Sequence, residues 1–365
     1  MTALQAARIT TPVDKQRLLT LSDDLTRIVS ASPDTRRRFT HVHFIINVVA
    51  GGVARARRFL GSCALVQRRA QELRPGGGEI TRSVHLTERP GHALQIAARI
   101  LDSPDCEGHL IVSVGGDGTH REVFSAVAER LGDSFGPDVT RVCMFRMPMG
   151  TGNDGADAPD VESACRTLQQ GVPNQRAGLV RVTPAGMKPM YAFNVTSIGI
   201  DAYVTDTSNR LKAFFPGDMY KLIADVATLF YEPIYGVGEV GLALTDDQGR
   251  QSQERDRFIL VAIGPTGNRV YGNGKRILPT DANLCAIPTV GVIKKIAMKK
   301  HLYVGTHVGL PGTLSARVKR VVVDYARRVP LQLDGEGIWL EPQNFPLTFE
   351  RVDSAINVLS AEPLG

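Results

Sequence analysis

A glycine-rich segment that follows an apolar run constrains the fold of this chain more than any other feature. The run His109–Val114 leads directly into Gly115–Thr119, which reads Gly-Gly-Asp-Gly-Thr, and apolar residues at helical spacing follow: Val123, Phe124, Val127 and Leu131. Open α/β sheets build phosphate sites from a strand, a glycine loop and a helix, because glycines let backbone N–H groups approach anionic oxygens. The segment therefore predicts a phosphate site, and Asp117 suits a Mg2+ that arrives on a nucleotide.

An ordinary helix start is the alternative interpretation of the same segment. Thr119 would cap the helix, and Glu122, three residues further on, would complete a capping box. This alternative explains the threonine and the glutamate. It requires neither three glycines nor the carboxylate between them.

A second loop occurs about one βα unit downstream. Arg146–Asp154 reads Arg-Met-Pro-Met-Gly-Thr-Gly-Asn-Asp and follows the apolar run Val142–Phe145. Both loops should open at the carboxyl edge of one parallel sheet, where open α/β folds bind their ligands.

The two loops together resemble the diacylglycerol kinase catalytic family, which includes sphingosine kinases and bacterial lipid kinases and is distantly related to NAD kinases. The family patterns G-G-D-G-T and P-x-G-T-x-N-D are both intact here and in order. Further matches extend the resemblance over residues 41–360: Asn47–Gly52, Thr87–Ala93, Asn194–Ala202, Tyr271–Arg276 and Asp334–Glu336.

The resemblance implies an ATP-dependent kinase that uses Mg2+ and transfers the γ-phosphoryl group to the hydroxyl of diacylglycerol or of a sphingoid-type alcohol. It implies that the following residues bind the nucleotide: Asn47, Thr87, Gly115, Gly116, Gly118, Thr119, Gly150, Thr151 and Asn153. Asp117 would act catalytically through Mg2+. Asp154 would either bind the same ion or cap the loop that follows it.

Two downstream carboxylates complete the expected site. Glu336 would be the general base, since phosphoryl transfer to an alcohol needs a group that takes the hydroxyl proton, and it would lie in a cleft between two domains. The alternative is that Asp334-Gly335, flanked by apolar runs, forms a two-residue hairpin turn, and both interpretations can hold. By resemblance, Asp201 would hydrogen-bond the lipid head group; a strand-end turn after Gly199 is its alternative.

The chain departs from the family at two places. Gly155-Ala156-Asp157 stands where the family carries an aromatic residue and an arginine, so a positive charge near the nucleotide becomes negative. Asp281–Ile287 lacks the acidic pair that supports a structural metal in many bacterial members. A second, structural Mg2+ is therefore not predicted.

Hydrophobic patterning predicts a helical extension over residues 1–39, an α/β doubly wound nucleotide-binding domain over 40–180, and a β-rich, sandwich-like lipid-substrate domain over 181–365. In the extension, Leu18, Leu21, Leu25 and Ile28 form one helical stripe, and Arg36–Arg38 follows Pro33 as a hinge. The stripe would pack on the body of the protein or on a second subunit, which would make a homodimer. One helix, Asp218–Tyr231, interrupts the β-rich half.

Composition restricts the partners and the compartment. Five cysteines without paired spacing favour a reducing cytoplasm, and the sequence shows neither a signal-peptide pattern nor a span of about 20 apolar residues. With a net charge of +6, anionic partners are expected, and Lys294, Lys295, Lys299 and Lys300 would lie against an anionic membrane surface or form a solvated helix face. Nucleic acid is not expected, because only 6% of residues are aromatic.

The composition and motifs thus predict a cytoplasmic, peripherally membrane-associated lipid kinase. A kinase of the NAD kinase type, with a soluble substrate, is the alternative among enzymes. A nucleotide- or lipid-binding protein without activity is the alternative outside them.

Overall fold

The computed structural model describes residues 14–73, 80–103, 105–106, 108–131, 142–150, 153–211, 231–272, 274–291, 298 and 300–361. It divides into two compact units, Met1–Ala177 with Ser354–Gly365, and Gly178–Asp353. The sequence placed the division at residue 180 and assigned everything beyond it to the second domain. In the structure, the last residues belong to the first unit, because in β18 (Leu347–Ser360) Val358 pairs in parallel with Met144.

A parallel sheet forms the centre of the first unit. Its first four strands lie in the order β2-β1-β3-β4: β1 is His41–Asn47, β2 Thr81–Thr87, β3 His109–Gly115 and β4 Val142–Pro148. The burial of nearly all of β1, β3 and β4 explains their continuous apolar sequences, since helices cover both faces of such a sheet. Those helices are α1 Lys15–Ser30, α2 Pro33–Arg38, α3 Gly51–Ala54, α4 Ala56–Glu72, α5 His92–Leu101, α6 Asp117–Leu131 and α7 Val161–Gln170.

The described part of the N-terminal extension, from residue 14 onward, packs on the body of this unit. The predicted apolar stripe of α1 is buried in one cluster with residues of α4 and α7, among them Phe59, Val66 and Leu168. Arg36–Arg38 does not form the expected hinge. These residues lie in α2, which begins at Pro33 after a Ser32 cap.

The second unit is antiparallel and β-rich. The elements are β5 Val172–Thr183, β6 Met190–Ala192, β7 Thr196–Gly199, α8 Ile200–Leu211, β8 Val240–Thr245, β9 Gln251–Asp256, β10 Phe258–Ile263, β11 Arg269–Tyr271, β12 Lys275–Leu278, β13 Leu284–Pro288, β14 Leu314–Ala316, β15 Arg320–Asp324, β16 Val329–Leu333 and β17 Glu336–Leu340, with 3-10 turns at Thr306–Gly309 and Pro342–Asn344. One set of neighbouring strands has the order β18-β15-β8-β9 and a second the order β14-β13-β10-β7-β16-β17, while β11 and β12 form a short ribbon.

Side chains from both sheets meet in one core, including Leu242 and Val321 from one and Val261 and Leu331 from the other. The expected fold class, a parallel α/β unit followed by a β-rich unit, is thus confirmed. The predicted helix Asp218–Tyr231 falls outside the described residues except for Tyr231.

Four histidines lie together on β1, β2 and β3. His43 Nδ1 is 3.4 Å from His85 Nε2, and His43 Nε2 is 3.0 Å from His109 Nδ1. The centres of the His41 and His43 rings are 4.3 Å apart, and the two ring planes are tilted by 47°. Burial, together with the neighbouring rings, lowers the pKa of His43 to about 3, and burial lowers the pKa of the other three as well. At neutral pH these side chains are therefore uncharged.

This cluster predicts that acid destabilises the protein. The unfolded chain binds protons below about pH 6.5 that the folded cluster does not, so stability is lost as the pH falls through that value. Between pH 7.5 and pH 5.5, the free energy of unfolding in urea should fall by about 1.4 kcal/mol less for His43→Gln than for the wild type, because the variant lacks one such histidine. Equal losses in the two proteins would contradict the prediction.

Candidate functional site

The predicted nucleotide residues of the first unit lie at one edge of its sheet. β1, β2, β3 and β4 are parallel and end at Asn47, Thr87, Gly115 and Pro148. In the register, Asn47 pairs with Thr87 and Gly115 with Pro148, so the four carboxyl ends are level. Both glycine loops therefore open at the carboxyl edge, as the sequence predicts.

The first loop is the direct junction of β3 and α6. α6 begins at Asp117, and the Asn47 side chain donates to the Thr119 hydroxyl from 2.9 Å. A Cβ on Gly115 would lie 2.7 Å from the Thr119 hydroxyl oxygen, so this position needs glycine. Since the first backbone N–H groups of a helix lack partners within it, the loop places positive dipoles at the sheet edge.

The capping-box interpretation does not describe this loop. The helix begins two residues before Thr119. The Glu122 carboxylate accepts hydrogen bonds from the backbone N–H groups of Gly91 at 2.8 Å and Ala93 at 3.1 Å. Glu122 thus stabilises the start of the neighbouring helix α5.

The second loop is tied to the first by backbone hydrogen bonds. Met149 N–H donates to the Gly115 carbonyl at 2.9 Å, and Gly155 N–H donates to Asp117 Oδ1 at 2.9 Å. Within the loop, Gly150 N–H donates to Asn153 Oδ1 at 2.9 Å. Thr151 and Gly152 lie outside the described residues. The geometry brings Asp117, Gly150 and Asn153 into one set of connected loops.

A buried ion pair supports the second loop, and sequence reasoning missed it. The Arg146 guanidinium binds Asp157 Oδ1 through Nε at 3.0 Å and through an Nη at 2.6 Å, and it lies 4.7 Å from the centre of the Phe124 ring. Asp157 Oδ2 also accepts the Arg146 backbone N–H at 2.7 Å. The expectation of an added negative charge near the nucleotide is therefore modified, because Arg146 compensates Asp157. The sequence did contain one indication of this pair: Arg146 is the one charged residue in the apolar strand β4, so it needs a buried partner.

Removing the charge of one partner of this ion pair should lower the free energy of unfolding. Because the two side chains are only 11% and 8% exposed, Asp157→Asn leaves a buried guanidinium uncompensated and should destabilise by about 3 kcal/mol in urea unfolding. Glu162→Gln, at the exposed Arg166 pair of α7, is the matched control and should cost less than about 1 kcal/mol. If the two changes lower the free energy of unfolding by similar amounts, the buried pair contributes no more to stability than the exposed one.

His120 is a second residue that sequence reasoning missed. It lies in the first turn of α6, fully buried, with Nδ1 2.7 Å from the Ser113 hydroxyl. Burial and then the nearby Arg146 lower its pKa to about 3, so the ring is neutral. Among the described residues, its Nε2 has no hydrogen-bond partner.

The acidic side chains at the loops fit a nucleotide-borne cation better than an all-protein cage. Among the described residues, no group of three or more His, Cys, Asp or Glu side chains is arranged to hold a metal ion. Mg2+ at nucleotide sites usually takes one or two carboxylates and completes its shell with phosphates and water. Asp117 and Asp154 are compatible with that donor set.

The downstream motifs meet in a separate cluster within the second unit. Asp201, in the first turn of α8, is buried; its Oδ2 accepts the Ser197 hydroxyl at 3.0 Å, and its Oδ1 lies 4.0 Å from Lys275 Nζ. Burial raises the pKa of Asp201, and Lys275 and Ser197 oppose that shift. A buried carboxylate with a shifted pKa and specific partners is typical of functional sites.

The hairpin interpretation of Asp334-Gly335 is confirmed. β16 and β17 pair across a two-residue turn with φ of 48° at Asp334 and 95° at Gly335, the left-handed region that a type I′ turn requires. The Asp334 carboxylate faces inward and accepts three backbone N–H groups, from Phe193, Asn194 and Val195, at 2.7, 2.8 and 3.0 Å. Glu336, the first residue of β17, is exposed. Its role as a general base stays a prediction.

Comparison with known proteins identifies the first half of the chain. Residues 41–180 match the family model of the diacylglycerol kinase catalytic domain. The matched segment is similar to that family. The family resemblance inferred from the motifs is thereby confirmed.

Curated relatives and a solved structure extend the similarity beyond this matched segment. A "Probable lipid kinase YegS-like" of Xanthomonas axonopodis pv. citri is 28% identical over 240 residues, which cover 63% of this chain and 72% of the relative. A relative of the same name from Xanthomonas oryzae pv. oryzae is 28% identical over 246 residues, 66% of this chain and 70% of the relative. A crystal structure named as a diacylglycerol kinase from Bacillus anthracis str. Sterne aligns with a TM-score of 0.54 at 15% identity, over 88% of this chain and 97% of that chain, and so shares the fold.

Proposed function

We propose that this protein is an ATP-dependent lipid kinase that transfers the γ-phosphoryl group of ATP to a hydroxyl of diacylglycerol or of a sphingoid-type alcohol. The observation that carries the proposal is the pair of glycine loops, joined by hydrogen bonds around Asp117 at the carboxyl edge of a parallel sheet. The names of the curated relatives as lipid kinases support the same activity.

In this proposal the loops bind the nucleotide. Phosphoryl transfer depends mainly on positioning and on compensation of charge, which backbone N–H groups and a cation supply. Asn47 and Thr87 would contact the nucleotide, and the following residues would surround its phosphates: Gly115, Gly116, Gly118, Thr119, Gly150, Thr151 and Asn153. Asp117 and Asp154 would hold Mg2+, which compensates the phosphate charge when it is bound.

The second unit would supply the acceptor side of the reaction. Glu336 would take the proton of the attacking hydroxyl, and Asp201 would bind the head group. The exposed position of Glu336 at a strand start leaves its carboxylate accessible to a lipid hydroxyl.

We also propose that the enzyme works in the cytoplasm at an anionic membrane surface. Within the described part of the chain, no helix is both long and apolar enough to cross a bilayer. Of the four lysines expected at the membrane, Lys300 is exposed, and Lys294, Lys295 and Lys299 lie outside the described residues. Co-sedimentation with vesicles that contain or lack anionic lipid tests the surface preference, and equal binding would contradict it.

The activity is tested with radiolabelled ATP, Mg2+ and a panel of lipid alcohols in mixed micelles. The proposal expects label in the lipid fraction with at least one acceptor, and at least about 100-fold slower labelling with Asp117→Asn. Label on NAD but on no lipid would support the soluble-substrate alternative. Nucleotide binding without any transfer would support a binding protein.

A side chain at Gly116 tests the phosphate loop directly. Gly116→Val should block the approach of backbone N–H groups to the phosphates and weaken binding of a nucleotide analogue at least about tenfold, while the protein remains folded. Calorimetric titration measures the affinity, and circular dichroism checks the fold. Gly61→Val, in the middle of α4 with no atom within 4 Å of the added Cβ, is the control. Unchanged affinity at Gly116 would remove the loop from the nucleotide site.

A further inference from the structure

The Asp201 carboxylate is already compensated by a cation of the protein itself. Lys275, on β12, holds its ammonium 4.0 Å from Asp201 Oδ1, and the two side chains are only 19% and 8% exposed. On its other oxygen, Asp201 accepts the Ser197 hydroxyl. A ligand that approaches Asp201 therefore meets a neutral ion pair and not a free negative charge.

This ion pair is connected to the turn that precedes Glu336. The buried Gln332 side chain donates to the Ser197 hydroxyl at 3.0 Å through Nε2 and accepts the Gly335 N–H at 3.1 Å through Oε1. Hydrogen bonds thus connect Asp201 through Ser197 and Gln332 to Gly335, the residue before Glu336. In the proposed function, an alcohol that reacts at Glu336 would direct its head group toward the Lys275–Asp201 pair.

We infer that Lys275 determines the acceptor class, so that the enzyme phosphorylates alcohols without an amine, of the diacylglycerol type, and discriminates against sphingoid amino alcohols. The inference rests on the proposed function. A sphingoid base carries an ammonium close to its reactive hydroxyl, and that cation would compete with Lys275 for the same buried carboxylate. Two like charges at one poorly solvated carboxylate repel each other, whereas an uncharged glycerol head group causes no such conflict.

The experiment compares kcat/KM for dioleoylglycerol and for sphingosine in the same mixed micelles. The wild type should prefer dioleoylglycerol at least about tenfold, and Lys275→Met should reduce that preference at least about tenfold, by making room for the ammonium. Lys275→Arg keeps the cation and should keep the preference. Arg276→Met, on the exposed side of β12, removes the same charge from the protein surface and is the matched control.

Each outcome decides the inference. A wild type that prefers sphingosine, or a Lys275→Met variant with the wild-type preference, would overturn it and leave the lipid kinase proposal intact. A wild type that phosphorylates no lipid overturns both. If Lys275→Met does not fold, Asp201→Asn replaces it: with Lys275 uncompensated, relative use of sphingosine should fall further, and a rise would contradict the inference.

Discussion

Replacing Glu336 by glutamine should lower kcat by about 10²–10⁴-fold, the usual contribution of a general base. Glutamine keeps the size and hydrogen-bonding capacity of the side chain, but it cannot take up the hydroxyl proton. Because Glu336 is exposed, the change should leave nucleotide affinity and the melting temperature nearly unaltered. Steady-state kinetics with a saturating lipid acceptor measure the effect.

The neighbouring hairpin makes a control for this result necessary. Asp334 holds three backbone N–H groups of the segment 193–195, so a change that disturbs the turn would act through the fold. Glu254→Gln, at an exposed position of β9, removes the same charge far from any predicted site residue in the sequence and should leave kcat unchanged. If Glu336→Gln retains kcat within about twofold, the general base must be sought elsewhere, first at Asp201.

Replacing Asp117 by asparagine should lower turnover at least about 100-fold while the free energy of unfolding changes by less than about 1 kcal/mol. The amide oxygen can still accept the Gly155 N–H, so the link between the two loops persists. The lost negative charge weakens the hold on a divalent cation. Kinetics as a function of Mg2+ concentration and urea unfolding measure the two quantities.

The dependence on Mg2+ separates catalysis from structure. If Asp117 holds the cation, the variant should need a higher Mg2+ concentration for its residual activity. Asp34→Asn, in the first turn of the exposed helix α2, is the control for a lost carboxylate. A variant with the wild-type rate at limiting Mg2+ would show that Asp117 serves only the loop connection.

Local patterns were sufficient to predict where the two glycine loops lie in the fold. Glycines directly after an apolar strand indicate a tight connection to a helix. For this reason Gly115 could be placed beside a helix start from the sequence alone. Because both loops follow parallel strands, they could be placed at the same carboxyl edge of the sheet. Asn47 and Thr87 were assigned by the family resemblance, and each is the last residue of a strand of that sheet.

The remaining features depend on contacts between residues far apart in the chain. Asp157 was interpreted as an uncompensated charge, because nothing in its neighbourhood indicates that Arg146 turns back to bind it. Asp334 was treated as a turn residue, and its three hydrogen bonds reach across about 140 positions. The Lys275–Asp201 pair is of the same kind. Such partners come together only in the tertiary structure, and no local pattern in the sequence predicts them.

The path of β18 has a consequence for biosynthesis. The ribosome delivers β4 long before Val358, the residue that pairs beside Met144, and Leu359 joins the apolar cluster that contains α1 and α4. Until then, one edge of a fully buried apolar strand has no neighbour in the nascent chain, and such edges promote aggregation. The unit synthesised first is therefore completed last, and the edge of β4 stays open to non-native strand pairing while the second unit is translated.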